Sequence, residues 1–122
     1  MPIGKKILLV EDEKNIILGV KTCLEIAAFK VIVVEDGKKV LDTAVSEKPD
    51  LILLDLMLPG LHGNEVCQQL KAHAETKHIP VIVLTARTEQ KDRDEAMAAG
   101  ADSFMTKPFR PEELWQEIKR FL

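Results

Sequence analysis

The sequence predicts an α/β domain whose parallel sheet is doubly wound by helices, and three observations carry that prediction. Short β-branched or leucine-rich runs alternate with stretches of helical periodicity along the chain. The runs at 7–10, 51–54 and 81–84 are apolar at successive positions rather than at every second one, the pattern of strands covered on both faces. Five βα units fit within 122 residues, with no repeat, linker or low-complexity segment between them.

Each element has its own signal. The first strand, 7–10, precedes a helix over 13–28 that places Ile16, Val20, Leu24 and Ala27 on one stripe. A second strand, 31–34, ends at Asp36-Gly37, and a helix follows over 38–47. Pro49-Asp50 opens the strand 51–54, and Gly63-Asn64 opens a helix over 64–73 with Val66, Cys67 and Leu70 inward. Pro80 begins the strand 80–84, where a missing N–H is tolerable. A polar helix from Thr88 to Ala99 stops at Gly100, and its apolar stripe is thin: Ala96, Met97 and Ala99. After the strand 103–106, Pro111 starts a last helix with Leu114, Ile118 and Phe121 spaced for burial. The chain reads as one domain over 1–122.

Composition narrows the function. With 46% hydrophobic and 30% charged residues the chain folds rather than staying disordered. Only 4% of residues are aromatic and none is tyrosine, so the core must be aliphatic. A net charge of -3 argues against a nucleic-acid surface. Cys23 and Cys67 lie in helical patterns without metal or redox spacing and read as buried thiols of a reducing compartment. No apolar run approaches a membrane span and Met1-Pro2 begins no signal-peptide pattern, so a cytoplasmic location is expected.

The chemistry is expected where the strands end, since ligands of such sheets bind beyond the carboxyl ends of the strands. Asp55 is the sharpest clue, a carboxylate set between Leu51-Ile52-Leu53-Leu54 and Leu56-Met57-Leu58. Stripping it from water costs several kcal/mol, roughly, unless something pairs with it. Glu11-Asp12, Thr85 and Lys107 leave the first, fourth and fifth strands. Singly, each has an ordinary reading: a helix start, a cap, a solvated lysine. Together they are complementary. Three carboxylates within about 5 Å repel by roughly 3 kcal/mol per pair at an effective dielectric near 20, which one lysine does not cancel. A hard divalent cation does, and an all-oxygen donor set suits Mg2+ better than zinc. Asp55 beside that ion, an amine and a hydroxyl is suited to attack an activated phosphoryl group and become an aspartyl phosphate. Pro59-Gly60 and Gly63 are expected to give the loop after Asp55 its backbone freedom.

At LLVEDE (8–13), LLDLMLPGLHG (53–63), VLTA (83–86) and AGADSFMTKPF (99–109) the sequence resembles the receiver domain of two-component response regulators, the CheY-like receiver fold. The resemblance implies a flavodoxin-like five-stranded sheet in order 2-1-3-4-5 flanked by five helices, an order for which such a receiver is a general example. It implies that Asp55 accepts phosphate from a sensor histidine kinase or phosphotransfer protein. Mg2+, or another divalent ion such as Mn2+, is then bound by Asp12 and Asp55, by Glu11 through water, and by the main-chain carbonyl of Met57. Lys107, held by a cis peptide to Pro108, pairs with the phosphate. Thr85 moves to hydrogen-bond it, and Phe104 rotates into the space vacated. Met57 and Arg87 resemble positions that tune phosphoryl lifetime. The implied activity is that of a phosphoacceptor promoting its own phosphorylation and dephosphorylation rather than a turnover enzyme. The implied partners are the kinase and a downstream output protein or domain on the face of the fourth helix, fifth strand and fifth helix, without nucleic acid or membrane.

Two departures modify this. Phe104 stands where a tyrosine is usual, so no hydroxyl reports on the surface. Glu95, Ser103 and Glu117 stand where the winged-helix subfamily carries Arg, Asp and Arg for dimerisation, so a monomer is expected. Trp115, beside the inward Leu114, either covers the core edge or anchors a partner. Other classes fit less well: a dehalogenase-type phosphatase wants an acid where Met57 stands, and a nucleotide or flavin module wants glycine where the first loop reads EDEKN. A receiver that serves only as a scaffold would not need every motif position filled.

Overall fold

The structure is a computed structural model that describes residues 4–58, 60, 62–86 and 89–122. Met1-Pro2, Pro59, Arg87 and Thr88, which carry expectations above, lie outside the described residues. Strands β1 (Lys6–Val10), β2 (Lys30–Val34), β3 (Leu51–Asp55), β4 (Val81–Thr85) and β5 (Ser103–Thr106) pair in parallel in the order β2-β1-β3-β4-β5. Helices α1 (Lys14–Ile26), α2 (Val40–Glu47), α3 (Gly63–Ala72), α4 (Gln90–Ala98) and α5 (Pro111–Lys119) connect and follow them, α2 being preceded by a single 3-10 turn over Gly37–Lys39.

Alternation along the central strands divides the core into two layers. Leu8, Val10, Ile52, Leu54, Val81 and Val83 face α2, α3 and α4, meeting Val40, Ala44, Val66, Cys67, Leu70 and Ala96. Ile7, Leu9, Leu51, Leu53, Ile82 and Leu84 face the other way, onto Val20 and Leu24 of α1 and Leu114 and Ile118 of α5. The successive apolar runs are therefore strands with two covered faces, as expected.

Several boundaries move for local reasons. Glu13 is not helical: its carboxylate accepts the N–H groups of Asn15 and Ile16 and caps α1. The parallel ladder carries β3 through Asp55, opposite Leu84, and β4 through Thr85, opposite Thr106, so these two residues end their strands rather than follow them. Pro80 stays outside β4 and gives its carbonyl to Ile52. Gly100, at φ +107, directly follows the cap residue of α4. Met97, expected inward, is 44% exposed, leaving Ala96 as the one buried residue within α4. Cys67 is buried and Cys23 half-buried.

Gly63 corrects an expectation. Its conformation is ordinary; what the position needs is the absence of a side chain. A Cβ there would lie 2.5 Å from Leu56 Cα and 2.9 Å from the Asp55 carbonyl oxygen, both backbone atoms. Close approach lets the Gly63 N–H donate to the Leu56 carbonyl at 3.0 Å, bringing the start of α3 against the end of β3. Gly63→Ala gains about 1 kcal/mol of helix propensity but creates a clash worth roughly 2–3 kcal/mol. We expect net destabilisation, seen as a lower urea midpoint; an unchanged midpoint would show that α3 can step back freely.

The far rim of the sheet is fastened by two aspartates. Asp50 accepts the Lys6 N–H at 2.8 Å, and its own N–H donates to the Lys6 carbonyl at 2.8 Å. Asp102 accepts the Val81 N–H at 2.8 Å and the Lys71 ammonium at 2.7 Å, and that ammonium also reaches the Ile79 carbonyl at 2.8 Å.

Candidate functional site

At the opposite rim the strand ends converge. Carboxylate oxygens of Glu11, Asp12 and Asp55, one from each residue, all lie within 4.8 Å of one another. Glu11 leaves β1 and is 1% exposed, Asp55 ends β3 and is 7% exposed, and Asp12 is exposed. Lys107 directly follows Thr106, the last residue of β5, which pairs with Thr85, and enters from that side. Its N–H donates to the Thr85 carbonyl at 2.7 Å, and the Lys107–Pro108 peptide is cis.

The Lys107 ammonium donates to Glu11 Oε1 at 2.6 Å and lies 3.6 Å from Asp55 Oδ2. Glu11 Oε2 accepts the N–H groups of Asp12 at 3.1 Å and Glu13 at 3.3 Å. Asp55 Oδ1 accepts the Met57 N–H at 3.2 Å. The sequence pointed to Lys107 as a phosphate partner; it did not reveal that the lysine is already bonded to a buried glutamate. Thr85 is fully buried one residue beyond the β4 position that pairs with Asp55.

These contacts separate the two buried acids. Burial pushes both carboxyls up. For Glu11 the hydrogen bonds to Lys107 and Asp55, the lysine's charge and the backbone N–H outweigh burial, and its pKa falls below the ordinary glutamate value. For Asp55, burial and the hydrogen bond with Glu11 prevail over the Met57 N–H and the Lys107 charge, and its pKa rises from 3.8 to about 6. Of the two acids, Asp55 is the one that keeps its proton to the higher pH.

The donor set fits a hard divalent cation. It is all oxygen, its three acids outnumber the one lysine among them, and Asp12 and Met57 are exposed at its edge. Beside Lys107, between α1 and α5, opens an apolar cleft of about 590 Å³ lined by Ile16, Val20, Phe109 and Leu114. Trp115 is half-buried, and its indole N–H donates to the Cys23 carbonyl at 3.3 Å. Phe104, expected to rotate inward, is already buried, and the Arg93 guanidinium lies over its ring. Sequence reasoning missed Arg93, since α4 has almost no amphipathic signal. Ser103 Oγ donates to Glu117 Oε1 at 2.5 Å, and Arg120 pairs with the same oxygen, so two of the three departing positions bond to each other within the chain.

The family model described as the response regulator receiver domain matches residues 7–119. The chain belongs to that family, and is a receiver domain of the two-component response regulator type. It is 43% identical over 120 residues to the alkaline phosphatase synthesis transcriptional regulatory protein PhoP of Bacillus subtilis, covering 98% of this chain and 49% of that protein. It is 41% identical over 120 residues to the phosphate regulon transcriptional regulatory protein PhoB of Pseudomonas aeruginosa, covering 98% of this chain and 52% of that protein. The chain thus spans about half the length of the curated relatives it matches. Among solved structures it resembles the receiver domain of the sensor histidine kinase PA1611 from Pseudomonas aeruginosa, which has a magnesium ion coordinated in its active-site cleft, at 32% identity, TM-score 0.91 and 97% coverage of each chain. It also resembles the chemotaxis protein CheY4 of Vibrio cholerae, at 30% identity and TM-score 0.91, covering 98% of this chain and 99% of that one. Among the described residues no helix is long and apolar enough to cross a membrane.

Proposed function

We propose that Asp55 is the phosphoacceptor of this receiver domain and that Glu11, Asp12, Asp55 and the Met57 carbonyl hold Mg2+ or a similar divalent ion. The observation that carries this reading is the meeting of three carboxylates and one lysine at the strand ends. The magnesium-bearing PA1611 neighbour supports the choice of metal. A bound cation would neutralise charge on the transferring phosphoryl group.

This chain's own residues do the rest. An ionised Asp55 oxygen attacks phosphorus, the P–N bond of a donor phosphohistidine breaks, and its electron pair returns to the imidazole, which takes up a proton. Lys107, already within 3.6 Å of Asp55, turns from the carboxylates towards the new phosphate. Glu11, held by the N–H groups of Asp12 and Glu13, is the carboxylate from which that lysine turns, and would help to hold the ion. Thr85 then hydrogen-bonds the phosphate, and Phe104 stays in its buried position. The donor is a histidine kinase or phosphotransfer protein seated over the site end and the apolar cleft. The output partner reads the α4-β5-α5 face. The domain promotes its own phosphorylation and dephosphorylation, works in the cytoplasm, and with Glu117 engaged by Ser103 and Arg120 acts as a monomer.

Incubation with Mg2+ and acetyl phosphate is expected to add one phosphoryl group by intact mass, and a chelator to prevent it. Labelling that proceeds equally in excess EDTA would remove the metal from this reading.

A further inference from the structure

Helix α4 is attached to the sheet by little apolar surface, with Ala96 alone buried within it. A second attachment is Arg93, whose guanidinium carbon lies 5.7 Å from the centroid of the Phe104 ring, within cation–π range. Phe104 is 8% exposed and sits on β5 opposite Val83; two residues on, Thr106 lies opposite Thr85. Arg93, Phe104 and Thr85 therefore run from the exposed face of α4 to the edge of the acid site.

We propose that Arg93 is a positioning residue for phosphoryl acceptance, holding Phe104 in the buried position that accompanies a phosphorylated Asp55. This rests on the phosphoacceptor reading above. A phenylalanine has no hydroxyl through which to anchor at either the buried or the outward position, so its choice falls to packing and to whatever covers its face. A planar guanidinium supplies that cover while remaining at the surface, and a lysine replaces it only in part. Because α4 buries so little else, the clasp also ties the position of this helix to the ring. The chain thereby gains a charged surface group tied to the buried ring, although the ring itself has no polar tip.

Beryllofluoride, which mimics a phosphoryl group on a carboxylate, is titrated with Mg2+ into the wild-type chain, Arg93→Ala, Arg93→Lys, Phe104→Leu and the Arg93→Ala/Phe104→Leu pair, with amide chemical shifts as the readout. Arg93→Ala is expected to weaken the complex about two- to five-fold, the range an exposed cation–π contact supplies, and Arg93→Lys to lose less. In the Phe104→Leu background the arginine substitution is expected to change nothing, and Mg2+ affinity without beryllofluoride is expected to be the same in all variants. Equal or tighter binding by Arg93→Ala, or the same loss with and without the ring, overturns the clasp alone. Absence of any beryllofluoride complex in the wild-type chain overturns the phosphoacceptor reading and the clasp with it.

Discussion

Asp55→Asn is expected to abolish incorporation of phosphate from acetyl phosphate or from a phosphorylated kinase, leaving no labelled species by intact mass. The substitution is nearly isosteric, so the strand and its contacts survive. What disappears is the anionic oxygen that attacks phosphorus and one donor to the cation. Glu11 does not replace it, because one of its oxygens is bonded to Lys107 and the other to two backbone N–H groups. Asp12 is exposed on the loop after β1, whereas Asp55 lies 3.6 Å from the Lys107 ammonium. Labelling that persists in the variant, mapped to either of those acids, would displace Asp55 from its role.

The same substitution is expected to stabilise the chelator-treated protein at pH 7.5 by about 1–3 kcal/mol, measured by urea unfolding. A carboxyl raised from 3.8 to about 6 in the folded chain binds its proton more tightly there than in the unfolded one. Its favourable contribution is complete below pH 3.8, declines as the pH rises through about 6, and is absent above. Over that range the change amounts to roughly 3 kcal/mol, of which asparagine recovers a part because the pull of Lys107 on Asp55 is lost as well. The Asn variant should therefore show a flatter stability profile between those pH values than the wild-type chain. Magnesium should close that gap: a cation at ten times its Kd adds about 1.4 kcal/mol to the protein that binds it, and at a hundred times about 2.7 kcal/mol, with little added to the variant. A variant no more stable than the wild type in EDTA would mean that the acid trio is not under strain.

Much of this was legible in the sequence because burial on two faces leaves a mark that needs no neighbour to interpret it. The runs 51–54 and 81–84 are apolar throughout, and the polar residues that end them, Asp55 and Thr85, stand out against them. The strand order was a different matter: it entered through the resemblance, since periodicity says that a strand is covered and not which strand lies beside it. Side-chain pairing was harder still. Nothing local tells that Lys107 meets Glu11, 96 positions away, or that Glu117 is engaged by Ser103. Met97 was misplaced because a helix as polar as α4 has too weak a stripe to orient it, and Arg93 over Phe104 was missed for the same reason. Gly63 was noticed for the wrong property, because a sequence shows a missing side chain without showing the backbone that would collide with one.

Asp50 and Asp102 close one pole of the molecule by bonding backbone N–H groups, whereas the acids at the other pole face each other. The architecture is thus lopsided, riveted at its base and sprung at its crown. The phosphoryl transfer proposed for the crown would therefore act far from the base, where Asp50 ties β1 to the start of β3 and Asp102 ties β4 to the start of β5.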